Sequence, residues 1–151
     1  MNPINENRPN SFAPLYVSDY YMPKYKPGEY GDWRISIMGL GYDYGYTSGV
    51  WMVRDVPILC KRNEKLAEKW ESWMSLTPHE IESQELGLMY SYGHVVVMGL
   101  GLGWFTVNAA LNSKVTKVTV VEMDSTVIEL FNKSCVLDGL ADETINKITI
   151  M

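Results

Sequence analysis

Three glycines, Gly99, Gly101 and Gly103, interrupt the chain directly after the apolar run Val95-Val96-Val97-Met98. No other stretch restricts the fold so tightly. A short run of mostly β-branched residues reads as a strand buried on both faces, as in a parallel sheet. Trp104 to Leu111 then offers helix-compatible residues at apolar spacing, so the order is strand, glycine turn, helix. Val118 to Val121 repeats the β-branched signature and ends on Glu122, about 23 residues past Gly99. That is close to the spacing at which a βαβ nucleotide site places its ribose-binding acid. Glycines let the backbone turn tightly and approach a ligand with no Cβ in the way. A carboxylate at the end of the neighbouring strand accepts hydrogen bonds from both hydroxyls of a ribose.

A dinucleotide fingerprint, Gly-x-Gly-x-x-Gly, would need its last glycine where this chain has Trp104, which argues against NAD. An acid just before a helix is most often its cap, so Asp124 is expected to be structural. Thr126 and Glu129 have capping-box spacing at the same helix start. The ligand role falls to Glu122.

Gly-x-Gly-x-Gly after a strand, followed by a strand ending in an acid, resembles the S-adenosylmethionine-binding motif of class I methyltransferases and of the related polyamine aminopropyltransferases, the spermidine synthases. Residues 120–130, Val-Val-Glu-Met-Asp-Ser-Thr-Val-Ile-Glu-Leu, resemble the spermidine-synthase branch in particular, and the resemblance spans roughly Gly93 to Met151. Val97 stands where many methyltransferases have an acid and spermidine synthases have valine. Leu102 stands where spermidine synthases usually have Asp. The resemblance implies an α/β fold: a Rossmann-like parallel sheet in strand order 3-2-1, an incomplete class I methyltransferase fold, preceded by a small β-rich N-terminal region. It implies S-adenosylmethionine as cofactor, or decarboxylated S-adenosylmethionine for the aminopropyl alternative. Gly99, Gly101 and Gly103 would shape the loop around the methionine end, Leu100 and Leu102 would donate backbone amides, Glu122 would hold the ribose, and Met123 would pack beside the adenine. The catalytic residues are not assigned, and the acceptor is not readable. A non-catalytic scaffold or interaction module on the same fold is the alternative of a different class.

Composition bounds the rest. A chain of 151 residues suits one domain, and 46% apolar with 21% charged residues is a globular profile. The net charge of -5 is dispersed and forms no basic stripe, so nucleic acid is not indicated as a partner. Cys60 and Cys135 read as free thiols in a reducing compartment. Neither a membrane-length apolar run nor a signal-like N-terminus is seen, and the expected location is cytoplasmic. His79 and His94 share no metal-ligand spacing with each other or with the cysteines, so no metal is expected, and no Ser-His-acid set can be assembled.

Three segments are expected. Residues 1–30 form an extended arm, since Pro3, Pro9, Pro14, Pro23 and Pro27 break both helices and central strands. Its Tyr16, Tyr20, Tyr21, Tyr25 and Tyr30 are expected to pin it to the body. Residues 31–61 form a β-hairpin region, with strands at Trp33–Met38 and Gly49–Cys60 around the glycine-rich turn 39–49. No helix follows that turn, so it lacks the helix N-terminus that a phosphate cradle needs. Residues 62–151 hold helices and the βαβαβ half-domain. Leu66, Ala67, Trp70, Trp73 and Met74 recur at helical spacing and predict an amphipathic helix from Asn63. Thr77-Pro78-His79-Glu80 predicts a second helix start with a capping box. In the resembled family such a helix borders the cofactor, which makes Glu80, Glu82, Gln84 and Glu85 possible neighbours. A helix Thr126–Ser134 stops near Asp138-Gly139, and Lys147–Met151 is the third parallel strand. Val95–Met98 then becomes an apolar sheet edge with unpaired amides. The expected explanations are a longer protein, a second chain completing the sheet, or N-terminal strands folded across the gap.

Overall fold

The computed structural model describes residues 13–151, and Pro3 and Pro9 of the expected arm lie outside that range. The described part of the arm meets the body in steps. Leu15 bridges Met52, with Tyr16 N–H donating to Met52 O and Met52 N–H donating to Pro14 O. The arm ends where strand β1 (Gly28–Tyr30) begins.

The β-rich half holds two sheets. Strands β2 (Trp33–Met38), β3 (Gly41–Tyr44), β4 (Val50–Val53), β5 (Val56–Arg62) and β6 (Trp70–Ser75) follow β1 in sequence. The order β1-β2-β5-β6 makes one antiparallel sheet, and β3-β4 makes a separate hairpin. The expected strand 49–60 is therefore two strands, broken at Arg54-Asp55, where Asp55 takes a left-handed φ of 54°. The turn 39–49 contributes β3 to the hairpin. The hairpin tip is fastened by one side chain from the following helix: Glu82 accepts from the N–H and Oγ1 of Thr47 and from the N–H and Oγ of Ser48. Desolvation pulls the Glu82 pKa upward, but the bonds from Ser48 and Thr47 outweigh it and hold the carboxyl below its ordinary range.

The amphipathic helix expected from Asn63 is absent. Asn63 O and Leu66 O instead accept from Leu66 N–H and Lys69 N–H in successive turns, and Lys69 sits at φ 60°. The chain then returns as β6 against β5. Helical spacing of Leu66, Ala67, Trp70, Trp73 and Met74 was a coincidence of period. Pairing with β5 overrides it, and the guanidiniums of Arg34 and Arg62 each stack 4.7 Å from the Trp70 ring.

Helix α1 (Pro78–Met89) starts where Thr77-Pro78 predicts, with Thr77 at the cap in extended conformation and Pro78 in the first turn. The capping box does not form: Thr77 makes no side-chain cap bond, and Glu80 accepts instead from Gln84 Nε2. Strand β7 (Gly93–Met98), helix α2 (Trp104–Leu111), strand β8 (Val115–Val121), helix α3 (Ser125–Lys133), the single turn α4 (Asp142–Ile145) and strand β9 (Ile148–Ile150) complete the chain. The three strands are parallel and lie in sequence order β7-β8-β9 with β8 central, the arrangement expected from right-handed crossovers.

Among the described residues, only one face of this small sheet is covered. Val95, Val97, Val118, Val120, Ile148 and Ile150 pack into the main core with Val107, Leu130 and Phe131. On the other face Val96 is 56% and Met98 78% exposed, which corrects the reading of β7 as buried on both sides. An unbroken Val-Val-Val-Met run conceals which face is inward, because alternation has no polar partner to mark it. Among the described residues β7 pairs with β8 alone, so its outer edge is open, and the N-terminal strands do not cross to fill it. Among the described residues, no helix is long and apolar enough to cross a membrane.

Candidate functional site

The glycine loop leaves β7 at its C-terminal end and turns through left-handed backbone: φ is +88° at Gly99, +53° at Gly101 and +72° at Gly103. Gly103 N–H donates to Leu100 O at 2.8 Å, closing a turn, and Gly103 is the N-cap of α2. The three glycines differ in what surrounds them. A Cβ on Gly99 would meet open space, one on Gly101 would come within 2.5 Å of Met74 Sδ, and one on Gly103 would come within 2.2 Å of the Phe131 ring. Gly103 therefore does the work of close packing between loop and α3, although it comes one residue earlier than in a dinucleotide fingerprint.

Glu122 faces this loop from the end of β8. Its Oε2 accepts from Leu100 N–H at 2.8 Å and its Oε1 from Asp124 N–H at 2.9 Å. Each carboxylate oxygen has a second lone pair, so two acceptor positions remain. A cavity of about 810 Å³ opens beside the carboxylate, inside the usual range for small-molecule sites. Gly99, Leu100, Gly101, Gly103, Glu122 and Met123 line it. Leu102 does not: its side chain is buried at 1% exposure under the loop. Met123 is fully exposed at the cavity lip.

The N-terminus of α2 enters the same cavity through Trp104 and has no side-chain cap, so the amides of its first turn face an anion-favouring end of the helix. The indole Nε1 of Trp104 is buried and has no hydrogen-bond partner among the described residues.

Asp124 is structural, as its position implies. Oδ1 accepts from Thr126 N–H at 2.9 Å and from Thr126 Oγ1 at 2.5 Å, making Asp124 rather than Thr126 the cap of α3. Oδ2 accepts from the indole Nε1 of Trp33 at 2.8 Å. The Thr126 and Trp33 bonds, with Lys61 nearby, outweigh desolvation and hold the carboxyl below its ordinary range. A depressed native pKa stabilises the fold above the unfolded value near about 3.9, and that contribution is lost as pH falls through the lower native value. Asp124→Ala is expected to cost about 1–2 kcal/mol at neutral pH. Urea melts at a series of pH values from neutral into acid check it: the gap between wild type and variant should narrow as pH falls.

The opposite wall of the cavity comes from residues with no local signal in the sequence. Between Leu59 and Cys60 the β5–β6 register shifts, leaving Trp73 as the extra residue of a bulge. Bulges re-aim side chains. Trp73 packs edge-on against Trp33 with centroids 5.5 Å apart, and Lys61 Nζ lies 5.1 Å from the Trp73 ring and 5.3 Å from that of Trp33. All three line the cavity, as does Met74. Of the four α1 residues expected as cofactor neighbours, Glu80 and Gln84 reach the cavity. Glu82 serves the hairpin, and Glu85 is held above its ordinary pKa by desolvation and by the charges of Glu82 and Asp19. His79 meets Tyr46 edge-on, and His94 Nε2 lies 2.8 Å from Thr119 Oγ1. Among the described residues, no three His, Cys, Asp or Glu side chains gather as metal ligands would. A second cavity of about 480 Å³ lies between the arm and the β-rich half, and none of the sequence-predicted ligand residues reaches it.

A scan of protein-family models and a search of curated proteins found no match to this chain.

Proposed function

We propose that this chain is the cofactor-binding part of a class I, Rossmann-like transferase that uses S-adenosylmethionine and moves its methyl group to an acceptor not yet identified. One observation carries the reading: the Glu122 carboxylate is turned onto a glycine loop at the mouth of a nucleoside-sized cavity, with two acceptor positions left over. Those positions suit the vicinal hydroxyls of a ribose. The uncapped end of α2 suits the carboxylate of a methionyl group, and Met123 offers an apolar surface to an adenine. Leu102, buried, stands where the resembled spermidine synthases usually have Asp, which favours the methyl over the aminopropyl reading. When bound, the cofactor's sulfonium supplies an electrophilic methyl group. The chain's own contribution is placement, by Glu122 at the sugar and by the glycine turn at the other end, so that an acceptor can approach in line.

The open β7 edge supports a second part of the proposal: additional polypeptide, in the same protein or in another chain, pairs with β7 and covers its exposed face. On β7 itself Val96 and Met98 are both more than half exposed, an apolar edge of the kind that solitary domains avoid. The same edge is what a scaffold or interaction module would offer. Titration separates the readings. Trp33, Trp73 and Trp104 line the cavity and report on it by fluorescence. S-adenosylmethionine is expected to give a saturable change and NAD none. Flat curves for both would favour the scaffold, and a response to NAD alone would overturn the transferase.

A further inference from the structure

The arm does more than cover the body: it holds the glycine loop itself. Tyr25 Oη donates to the carbonyl oxygen of Leu102 at 2.9 Å, across a sequence separation of 77 residues. Burial raises the Tyr25 pKa, so the hydroxyl stays protonated and remains a donor. Four residues earlier, Asn108 of α2 grips both backbone groups of Tyr21, accepting from its N–H at 2.9 Å and donating to its carbonyl at 2.9 Å. Tyr20 lies edge-on to Trp104 with centroids 5.7 Å apart. Lys26 N–H donates to Ser134 O at 2.8 Å. Arm residues 20–26 therefore run over the loop, the first turn of α2 and the end of α3.

The position of the Tyr25 bond within the loop gives it a particular consequence. A peptide unit is planar, so fixing the Leu102 carbonyl fixes the plane that also carries Gly103 N–H. That N–H closes the turn onto Leu100 O, and Gly103 opens α2. One hydroxyl from a remote segment thus sets the orientation in which the turn hands over to the helix. Glu122 braces the other end of the same loop through Leu100 N–H.

We propose that Tyr25 is a positioning residue for the methionyl end of the ligand, acting through the Leu102–Gly103 peptide. The proposal rests on the nucleoside-site reading above. It separates two ligands: the sugar of adenosine is held by Glu122, whereas the amino-acid portion of S-adenosylmethionine needs the loop and the end of α2. Calorimetric titration of wild type and Tyr25→Phe with S-adenosylmethionine and with adenosine tests it. Loss of one neutral hydrogen bond is expected to weaken S-adenosylmethionine binding by about three- to tenfold and to leave adenosine within about twofold. Replacement of Tyr25 by 3-fluorotyrosine, which keeps the hydroxyl, should restore the wild-type ratio.

Equal weakening of both ligands would make Tyr25 merely structural and overturn the proposal. So would unchanged affinity for both, with the nucleoside site itself still standing. A Tyr25→Phe protein unfolded at room temperature would count against it too, because the bond would then hold the fold rather than the loop. Wild type that binds neither ligand would remove the site and this inference together.

Discussion

Glu122→Ala is expected to weaken S-adenosylmethionine binding by roughly 10²–10³-fold, where two hydrogen bonds to a charged group, each worth about 1.5–3 kcal/mol, span roughly 10²–10⁴-fold. The lower part of that range applies because each oxygen of Glu122 is already shared with a backbone amide, Leu100 N–H on one and Asp124 N–H on the other. Those amides lose their acceptor in the variant, so some of the loss will come from a loosened loop. Comparing adenosine with 2′,3′-dideoxyadenosine isolates the direct part. Wild type should prefer the ligand with both hydroxyls, and Glu122→Ala should bind the two alike. An undiminished preference in the variant would mean that another group reads the sugar.

Gly103→Ala is expected to have the largest effect on stability. Two costs coincide there. At φ +72° an L-residue is strained by about 1–2 kcal/mol. The new Cβ would also lie 2.2 Å from the Phe131 ring, which is buried at 3% exposure in the core. Overpacking a close-packed core typically costs a further 1–3 kcal/mol, so the sum is about 2–5 kcal/mol. For a chain of this size that lowers Tm by roughly 5–15 °C. Gly99→Ala is the matched control: φ is +88° but the space beyond is empty, so only the backbone cost applies. Thermal melts in which Gly103→Ala falls no further than Gly99→Ala would show that Phe131 can move aside, and the loop would be softer than its packing implies.

What could be read in advance follows from the range of the interactions involved. Strand, glycine turn, helix and acid lie within one βαβ unit, and their spacing is a local property of the chain, so Gly99, Gly101, Gly103 and Glu122 come together as their order suggests. The parallel order of β7, β8 and β9 likewise matches the expected strand order, each strand lying beside its neighbour in sequence. The other wall of the cavity was invisible. Trp73 and Met74 read as the apolar stripe of a helix, because nothing local records that β5 needs an antiparallel neighbour. Tyr25 was expected to pin the arm to the body, and it does, but its partner, one carbonyl 77 residues away, has no signature in either segment. The sequence also does not show that the Leu102 side chain anchors the loop from below, or that the Leu100 amide has an acceptor within the protein in Glu122.

The clasp between Glu82 and the tip of the β3–β4 hairpin bears on the chain's other glycine-rich stretch, residues 39–49. Two consecutive amides and two hydroxyls converge on one point there, which is the chemistry of an oxyanion receptor. The molecule supplies its own anion. A free phosphate arriving at this tip finds its place taken by a tethered carboxylate, so the receptor works as a buckle that closes the hairpin over α1.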